Sequence, residues 1–169
     1  MTAIDLHEWT EFFLGTAGAV AALSGLIFVA VSVNLPRILA AERSEGGSFL
    51  TGRAIEALVA LLSILGVSTF GLAPELGTTS FGIVVLVAAS VCIVAPIRLV
   101  TVVIRSRHRP AGFASRLVFA AALVACLVAC GVSLLSGVGG GLYWLPFAVV
   151  VAVTVAAVNA WVLLVEVMR

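Results

Sequence analysis

Glu56 is the residue in this sequence best placed to do chemistry, because it is an acid inside a hydrophobic stretch. A charged group at the centre of a bilayer costs roughly 2.5–3.5 kcal/mol on insertion scales, and less near an interface, so such residues commonly serve a function. One interpretation is a proton or cation site. The other is an ion pair with Arg53, three residues earlier on the same helical face. The sequence favours the pair and leaves the site open.

Three more polar residues are expected at the same depth as Arg53 and Glu56. Asn34 stands at the end of the first hydrophobic stretch, Arg98 at the end of the third, and Asn159 within the last. One interpretation of this set is a polar pocket that opens to the cytosol, a candidate inner-leaflet site. The alternative, which the sequence favours, is hydrogen bonding between helices, worth about 0.6 kcal/mol per bond on average. The opposite half of the membrane region is nearly all apolar.

The cysteines and histidines do not form a recognisable metal or redox pattern. Cys126 and Cys130 are four residues apart, whereas a redox helix uses a C-x-x-C spacing, and Cys92 is isolated from both in sequence. His7 and His108 are expected on opposite sides of the membrane, where they cannot share a metal or a haem. No nucleophile motif or phosphate loop is recognisable. We therefore predict no catalytic residue, no metal, no cofactor and no enzymatic activity.

The elements that must position these residues are membrane helices. The chain has 169 residues, of which 63% are hydrophobic and 10% charged, against about 25% charged in a soluble domain. A membrane helix needs about 20 apolar residues to cross a core about 30 Å thick. Five stretches qualify, at residues 12–35, 54–73, 78–97, 117–138 and 143–165. The sequence predicts an all-α, five-helix transmembrane bundle that forms a single domain over residues 1–169.

The basic residues predict the orientation of this bundle. All nine are arginines, and they flank the first and third loops or end the chain: Arg37, Arg43, Arg53, Arg98, Arg105, Arg107, Arg109, Arg116 and Arg169. Short loops rich in arginine remain in the cytoplasm, so the amino terminus is expected outside and the carboxyl terminus inside, in the cell (plasma) membrane. Trp9, Tyr143 and Trp144 then fall at the outer interface.

The third loop has a second expected role. Arg105, Arg107 and Arg109 can contact lipid headgroups, at about 1 kcal/mol per basic residue near an anionic surface. They can equally serve only to set the orientation, and the two roles are compatible. The net charge of +1 and the lack of a basic stripe argue against a nucleic-acid partner.

Small residues recur every fourth position in three of the predicted helices and predict close helix packing. The three ladders are Ala17, Ala21 and Gly25 with Gly18 and Ala22 beside them; Ala121, Ala125, Ala129, Ser133 and Gly137; and Ala148, Ala152, Ala156 and Ala160. Any one ladder is expected to pack inside the bundle. Three ladders in one short chain also leave room for a homo-oligomer or a membrane protein partner. Pro36 is expected to end the first helix or to kink it into a cytosolic extension.

Residues 18–35 followed by 37–39, together with residues 53–58, resemble a group of small, mostly uncharacterised integral membrane proteins of actinobacteria. Some members of that group are described as modulators of a membrane-anchored ATP-dependent protease. The resemblance covers the first two predicted helices, under half of the chain. It implies a multi-pass membrane protein with a protein partner, and Asn34, Arg53 and Glu56 fall within the resembling segments.

Two functions therefore follow from the sequence. The leading one is a non-enzymatic membrane protein that acts through helix packing with itself or with a partner complex, in an interaction or modulator role. The alternative is a small oligomeric transporter or channel with a cytosol-facing polar vestibule. Its lining would be the candidate polar site, namely Asn34, Arg53, Glu56, Arg98 and Asn159.

Overall fold

The computed structural model describes residues 5–45, 49–106, 113–138 and 140–167, and these ranges are helical almost throughout. The helices are α1 (Thr10–Glu45), α2 (Phe49–Gly71), α3 (Thr78–Cys92), α4 (Val94–Ser106), α5 (Phe113–Ser136) and α6 (Trp144–Val167). Short 3-10 turns, Leu6–Trp9 and Gly141–Tyr143, precede α1 and α6. The described part of the chain contains no strand, so the prediction of an all-α bundle is confirmed.

Five segments of the described chain are long and apolar enough to cross a membrane, as the sequence predicted. They are Leu6–Pro36, Gly52–Gly71, Thr78–Thr101, Phe113–Ser136 and Gly141–Trp161. Each overlaps one predicted stretch and differs from it by a few residues at the ends. The chain is therefore a multi-pass membrane protein.

The third span differs from its prediction because it is built from two helices. The stretch was expected to run unbroken over residues 78–97, but the helix breaks after Cys92 and resumes at Val94. Proline has no N–H to donate to the carbonyl of Cys92, and its ring clashes with that carbonyl, so the ladder is interrupted one turn before the proline. The chain then continues helically through Arg98 to Ser106.

α1 extends well past its predicted end. Pro36 lies inside the helix, which continues to Glu45. Pro36 was expected either to end the helix or to kink it into an extension, and in the structure the helix extends past it. α1 is therefore longer than the membrane is thick, and its last turns project beyond the spans.

The five spans alternate in direction, so the bundle has two distinct ends. At the aromatic end, the rings of Trp9 and Tyr143 are 5.3 Å apart and those of Phe13 and Phe81 are 5.4 Å apart. We call the other end, where Arg53, Arg98 and Arg116 lie, the basic end. The turn from α5 to α6 requires glycine, because Gly137, Gly140 and Gly141 have φ of 68°, 96° and 53°.

α2 is central to the packing, because it contacts α1, α3 and α6, while α5 packs on α3 and α6. The core includes Phe13, Phe81, Leu127 and Leu145, each at most 1% exposed. The half nearer the aromatic end is less purely apolar than expected, because it also buries three hydroxyl side chains, Thr16, Ser68 and Ser133.

The three small-residue ladders have different environments. Ala148, Ala152 and Ala156 are buried in the bundle, so the ladder of α6 packs internally. In α1, the side chain of Ala21 is exposed, as are Gly18 and Gly25.

In α5 only part of the predicted ladder packs inside the bundle, where Ser133 is buried. Ala121 and Ala125 are exposed, whereas Gly131 on another face approaches Gly82 of α3. A Cβ at Gly131 would lie 2.6 Å from Cγ of Leu86 and 3.1 Å from the carbonyl oxygen of Gly82. The close approach of α3 and α5 therefore uses a pair of glycines outside the predicted ladders.

Candidate polar cavity

Glu56 forms an ion pair with Arg116, a residue 60 positions later in the chain. Nε of Arg116 donates to Oε2 of Glu56 at 3.1 Å, and Nη2 donates to Oε1. The arginine side chain is 9% exposed and the glutamate 18%. Two parallel hydrogen bonds between a guanidinium and a carboxylate are stronger than neutral ones and fix the relative orientation of the groups. The pair joins α2 to α5 at the basic end.

The positions of both partners follow from the topology. Glu56 lies two turns into α2, and Arg116 lies in the first turn of α5. Both helices begin at the basic end, so the two side chains have the same depth. From the sequence, Arg116 was expected only to set the orientation, and its pairing with Glu56 was not predicted. The signal that the sequence offered for this pairing was that Arg116 lies at a depth similar to that of Glu56.

A cavity of about 330 Å³ lies beside this ion pair, between α2, α5 and α6 and the break between α3 and α4. Its polar lining consists of Arg53, Glu56, Ser115, Arg116 and Asn159. The remaining lining is Val59, Ala60, Cys92, Ala95, Phe119, Ala120, Leu123, Val155 and Val158. Ser115 and Val158 are exposed, so the cavity reaches the protein surface. Its volume is at the lower end of the range for small-molecule sites.

Asn159 is the most deeply buried polar side chain in this cavity, with 3% of its surface exposed. Native proteins usually satisfy a buried polar group with a protein group, water or a ligand. The amide carries two donors and an acceptor, so it can bind a hydrogen-bonding group inside the cavity.

The charges around the cavity are unequal. Two guanidinium groups, from Arg53 and Arg116, line it together with one carboxylate, that of Glu56. Arg116 is paired with Glu56, and Arg53 also has an interaction partner. Both arginines are thus engaged with other groups of the protein.

Three of the five residues in the predicted site meet at this cavity, and two do not. Arg53, Glu56 and Asn159 line it. Asn34 lies on α1 and donates from Nδ2 to the carbonyl of Ala30 at 2.9 Å, so its amide bonds its own helix. Arg98 is exposed on α4 and does not line the cavity. Residues with equal depth in the membrane thus face different directions.

The predicted headgroup contacts lie mostly outside the described part of the chain. Arg107 and Arg109 fall outside the described residues. Arg105 belongs to α4, but its side chain is not among those described.

The three thiols are separate and free in this structure. Cys92 lines the cavity, Cys130 is buried, and Cys126 is partly exposed. Among the described residues, no group of three histidine, cysteine or acidic side chains is arranged to hold a metal ion.

The arrangement is suited to binding. The ion pair fixes the charged groups, the asparagine offers hydrogen bonds, and the aliphatic lining with Phe119 accommodates an apolar moiety. A comparison of the chain with protein-family models, with curated proteins and with solved structures gives no match.

Proposed function

We propose that this chain is a non-enzymatic membrane protein that binds a small amphipathic molecule in the cavity at its basic end. The observation that carries the proposal is the cavity lined by Arg53, Glu56, Arg116 and Asn159. Its few polar groups belong to a lining that is otherwise apolar, as in most small-molecule sites. With the basic end toward the cytosol of the plasma membrane, the cavity would open on the cytosolic side, and it contains three of the five residues of the vestibule considered from the sequence.

The engagement of Glu56 supports binding over catalysis. A general base must be free to reach the proton that it abstracts. Here both carboxylate oxygens already accept hydrogen bonds from Arg116. The pair therefore acts as a fixed wall of the cavity.

The route from this cavity to the aromatic end is packed. Ile64, Val67, Leu127 and Leu145 are each at most 1% exposed. A permanently open channel through a single copy of the chain does not fit that core. A transporter remains compatible with the cavity, provided that the helices rearrange to release the ligand on the other side.

The test is a pair of phenylalanine substitutions on α5. Ala120→Phe places a ring in the cavity, and Ala114→Phe places one on an exposed position of the same helix. Each protein would be extracted in gentle detergent and measured by native mass spectrometry. We expect the wild type and Ala114→Phe to retain one small-molecule adduct and Ala120→Phe to lose it. A folded Ala120→Phe protein that keeps the adduct, or a wild type without one, overturns the proposal.

A second candidate is the interaction role, through association with a second copy or with a membrane partner. Its support is the outward face of α1, where Gly18, Ala21 and Gly25 are exposed and no side chain lies near the two glycines. Small residues on an open helix face permit close approach by another helix. The modulator role implied by the resembling proteins would use the same face.

The interaction role is tested by Ala21→Leu, with Leu26→Ala as a control that removes bulk from another exposed position. Self-association would be measured by energy transfer between labelled proteins in vesicles. We expect Ala21→Leu to abolish energy transfer and Leu26→Ala to retain it. If Ala21→Leu leaves the transfer unchanged, the face does not mediate self-association. Co-purification of a stoichiometric protein lost in Ala21→Leu would support a heterologous partner instead.

A further inference from the structure

The cavity at the basic end reaches the surface of the bundle between α5 and α6, which are neighbouring helices. Two of its lining residues are exposed, Ser115 of α5 and Val158 of α6, the latter by 47%. Phe119 of α5 and Val155 of α6 also line the cavity and are partly exposed. We call the opening framed by these four residues the α5–α6 portal.

The rotation of α5 about its axis is consistent with this position of the portal. Gly131 faces α3, because a Cβ placed on it would meet Leu86 of that helix. At 3.6 residues per turn, Phe119 and Ser115 lie about 120° and about 160° around the helix axis from Gly131. Both side chains are therefore on the side of α5 that is turned away from α3.

The portal faces the membrane. Ser115 lies within the fourth span and Val158 within the fifth. One turn from them on the surface are Val118, which is 64% exposed, and Trp161, which is 70% exposed. Tryptophan is enriched where a membrane helix meets the interface, so Trp161 is expected near the interface at the basic end. A molecule that leaves the cavity by the portal therefore enters the lipid.

The Glu56–Arg116 pair obstructs the other route, along the axis of the bundle. α2, α3, α5 and α6 form a ring in which each helix contacts its two neighbours, and α2 and α5 lie on opposite sides. The pair crosses this ring. Cys92 lines the cavity farther in, because its side chain is hydrogen-bonded to Ser63, two turns or about 10 Å beyond Glu56 along α2.

We propose that the ligand of the cavity enters and leaves sideways through the α5–α6 portal, from the membrane leaflet at the basic end. The ligand class is then an amphipathic molecule dissolved in the membrane. Its polar group hydrogen-bonds to the amide of Asn159, and its apolar part extends through the portal into the lipid. This inference rests on the proposed function, because it names the ligand class of the same cavity.

The experiment uses the thiol of Cys92 as a reporter of access to the cavity. The full chain would be placed in phosphatidylcholine nanodiscs, which leave both faces open to water. The probes are N-dodecylmaleimide, which dissolves in lipid, and a sulfonated maleimide, which remains in water. Labelling is followed by mass spectrometry of the Cys92 peptide, and each rate is divided by the rate of the same reagent with the SDS-unfolded chain. We expect the lipid-soluble reagent to have the higher relative rate, by about tenfold or more.

A substitution at the portal assigns the route. Val158→Trp narrows the portal and should slow N-dodecylmaleimide about tenfold, which corresponds to about 1.4 kcal/mol of added barrier. Val150→Trp is the matched control, because Val150 is on the same helix, is 64% exposed and does not line the cavity. It should leave the rate unchanged. Cys130 is buried outside the cavity lining, so its labelling reports unfolding and should stay slow in both variants.

Three results would overturn entry from the membrane. They are an equal or higher relative rate for the sulfonated reagent, equal rates in the two tryptophan variants, and no labelling of Cys92 by N-dodecylmaleimide. The comparison of the two reagents uses the wild-type chain, so it decides the question even if Val158→Trp does not fold.

The failure of this inference is distinguishable from failure of the proposed function. If entry from the membrane is overturned while the adduct is still lost in Ala120→Phe, the cavity binds a molecule that arrives from the water. If no adduct depends on Ala120, the proposed function and the ligand class fall together, whatever the labelling of Cys92 shows.

Discussion

At the scale of single residues, the Glu56–Arg116 pair connects two helices that are far apart in sequence. The partners are 82% and 91% covered, respectively, by other parts of the protein. Removing one member of such a pair leaves the other charge without compensation in a low-dielectric region. The pair therefore shapes the cavity and also contributes to the stability of the bundle.

The first prediction concerns this pair. Glu56→Gln should lower the free energy of unfolding by about 2 kcal/mol, because the largely buried guanidinium of Arg116 loses its charged acceptor. The measurement is a denaturation titration with SDS in mixed micelles. Glu75→Gln, an exposed glutamate in the turn at the aromatic end, is the control and should have no effect.

A double-mutant cycle with Arg116→Gln separates the pair from the individual residues. Glu56→Gln combined with Arg116→Gln should cost less than the two single changes added together, with a coupling energy above about 0.5 kcal/mol. Strictly additive losses would show that the two side chains do not stabilise each other.

A functional residue could be predicted from the sequence where one position alone was unusual. Glu56 was identifiable because an acid in an apolar run is rare. Its partner was not, because nothing in the sequence specifies which of several arginines at one depth faces α2. Depth can be inferred from the distance to a helix end, but the direction of a side chain depends on how each helix is rotated against its neighbours. Asn34 illustrates the limit, since it has the expected depth and bonds its own helix.

At the scale of elements, the contact of α3 with α5 depends on the absence of two side chains. Gly82 and Gly131 let the two backbones approach closely. The sequence predicted close packing correctly but assigned it in α5 to the alanine ladder, which is largely exposed. Hydropathy does not separate a lipid-facing alanine from a packed one, because both surroundings are apolar. Only the packed structure distinguishes them.

The second prediction follows from that contact. Gly131→Ala should destabilise the bundle by about 1–3 kcal/mol, because the new Cβ would overlap Leu86 and press on the backbone of α3. Gly66→Ala, where a Cβ meets nothing within 4 Å, should be neutral or slightly stabilising. Both are measured by the same SDS titration. Equal stability of the two variants would contradict the close approach.

The third prediction concerns the break between α3 and α4. Pro96→Ala supplies an N–H that can donate to the carbonyl of Cys92 and removes the ring that clashes with it. The two helices should become continuous, and hydrogen–deuterium exchange of the amides at 93–97 should slow. Pro146→Ala is the control, because Pro146 lies in the first turn of α6, where its N–H would be unpaired anyway. Unchanged exchange in Pro96→Ala would mean that another cause breaks the helix.

At the scale of the whole molecule, the hydropathy of the chain was enough to predict the number of spans and their approximate limits. Membrane thickness fixes the helix length, so the five apolar stretches translate directly into five spans. The cavity was less accessible to prediction. It is formed where α2, α5 and α6 diverge beside a broken helix, and this depends on tertiary packing. The sequence named three of its residues and gave no indication of its volume.

The fourth prediction concerns the orientation of the bundle. Reporter fusions that end after Arg107 should be cytoplasmic, and fusions that end after Gly140 should be external, because arginine-rich short loops remain inside. The measurement is the paired activity of a reporter that is active only outside and one that is active only inside. The reverse pattern would place the basic end, and the cavity with it, on the outer side.

The measurement that tests the central claim most directly is a crystal structure grown in a lipidic mesophase. The claim is that the cavity beside the Glu56–Arg116 pair is a binding site. We predict non-protein electron density inside the cavity, within hydrogen-bond distance of the Asn159 amide. The account would be contradicted if the cavity is closed and holds no non-protein density, with Asn159 hydrogen-bonded to a neighbouring side chain.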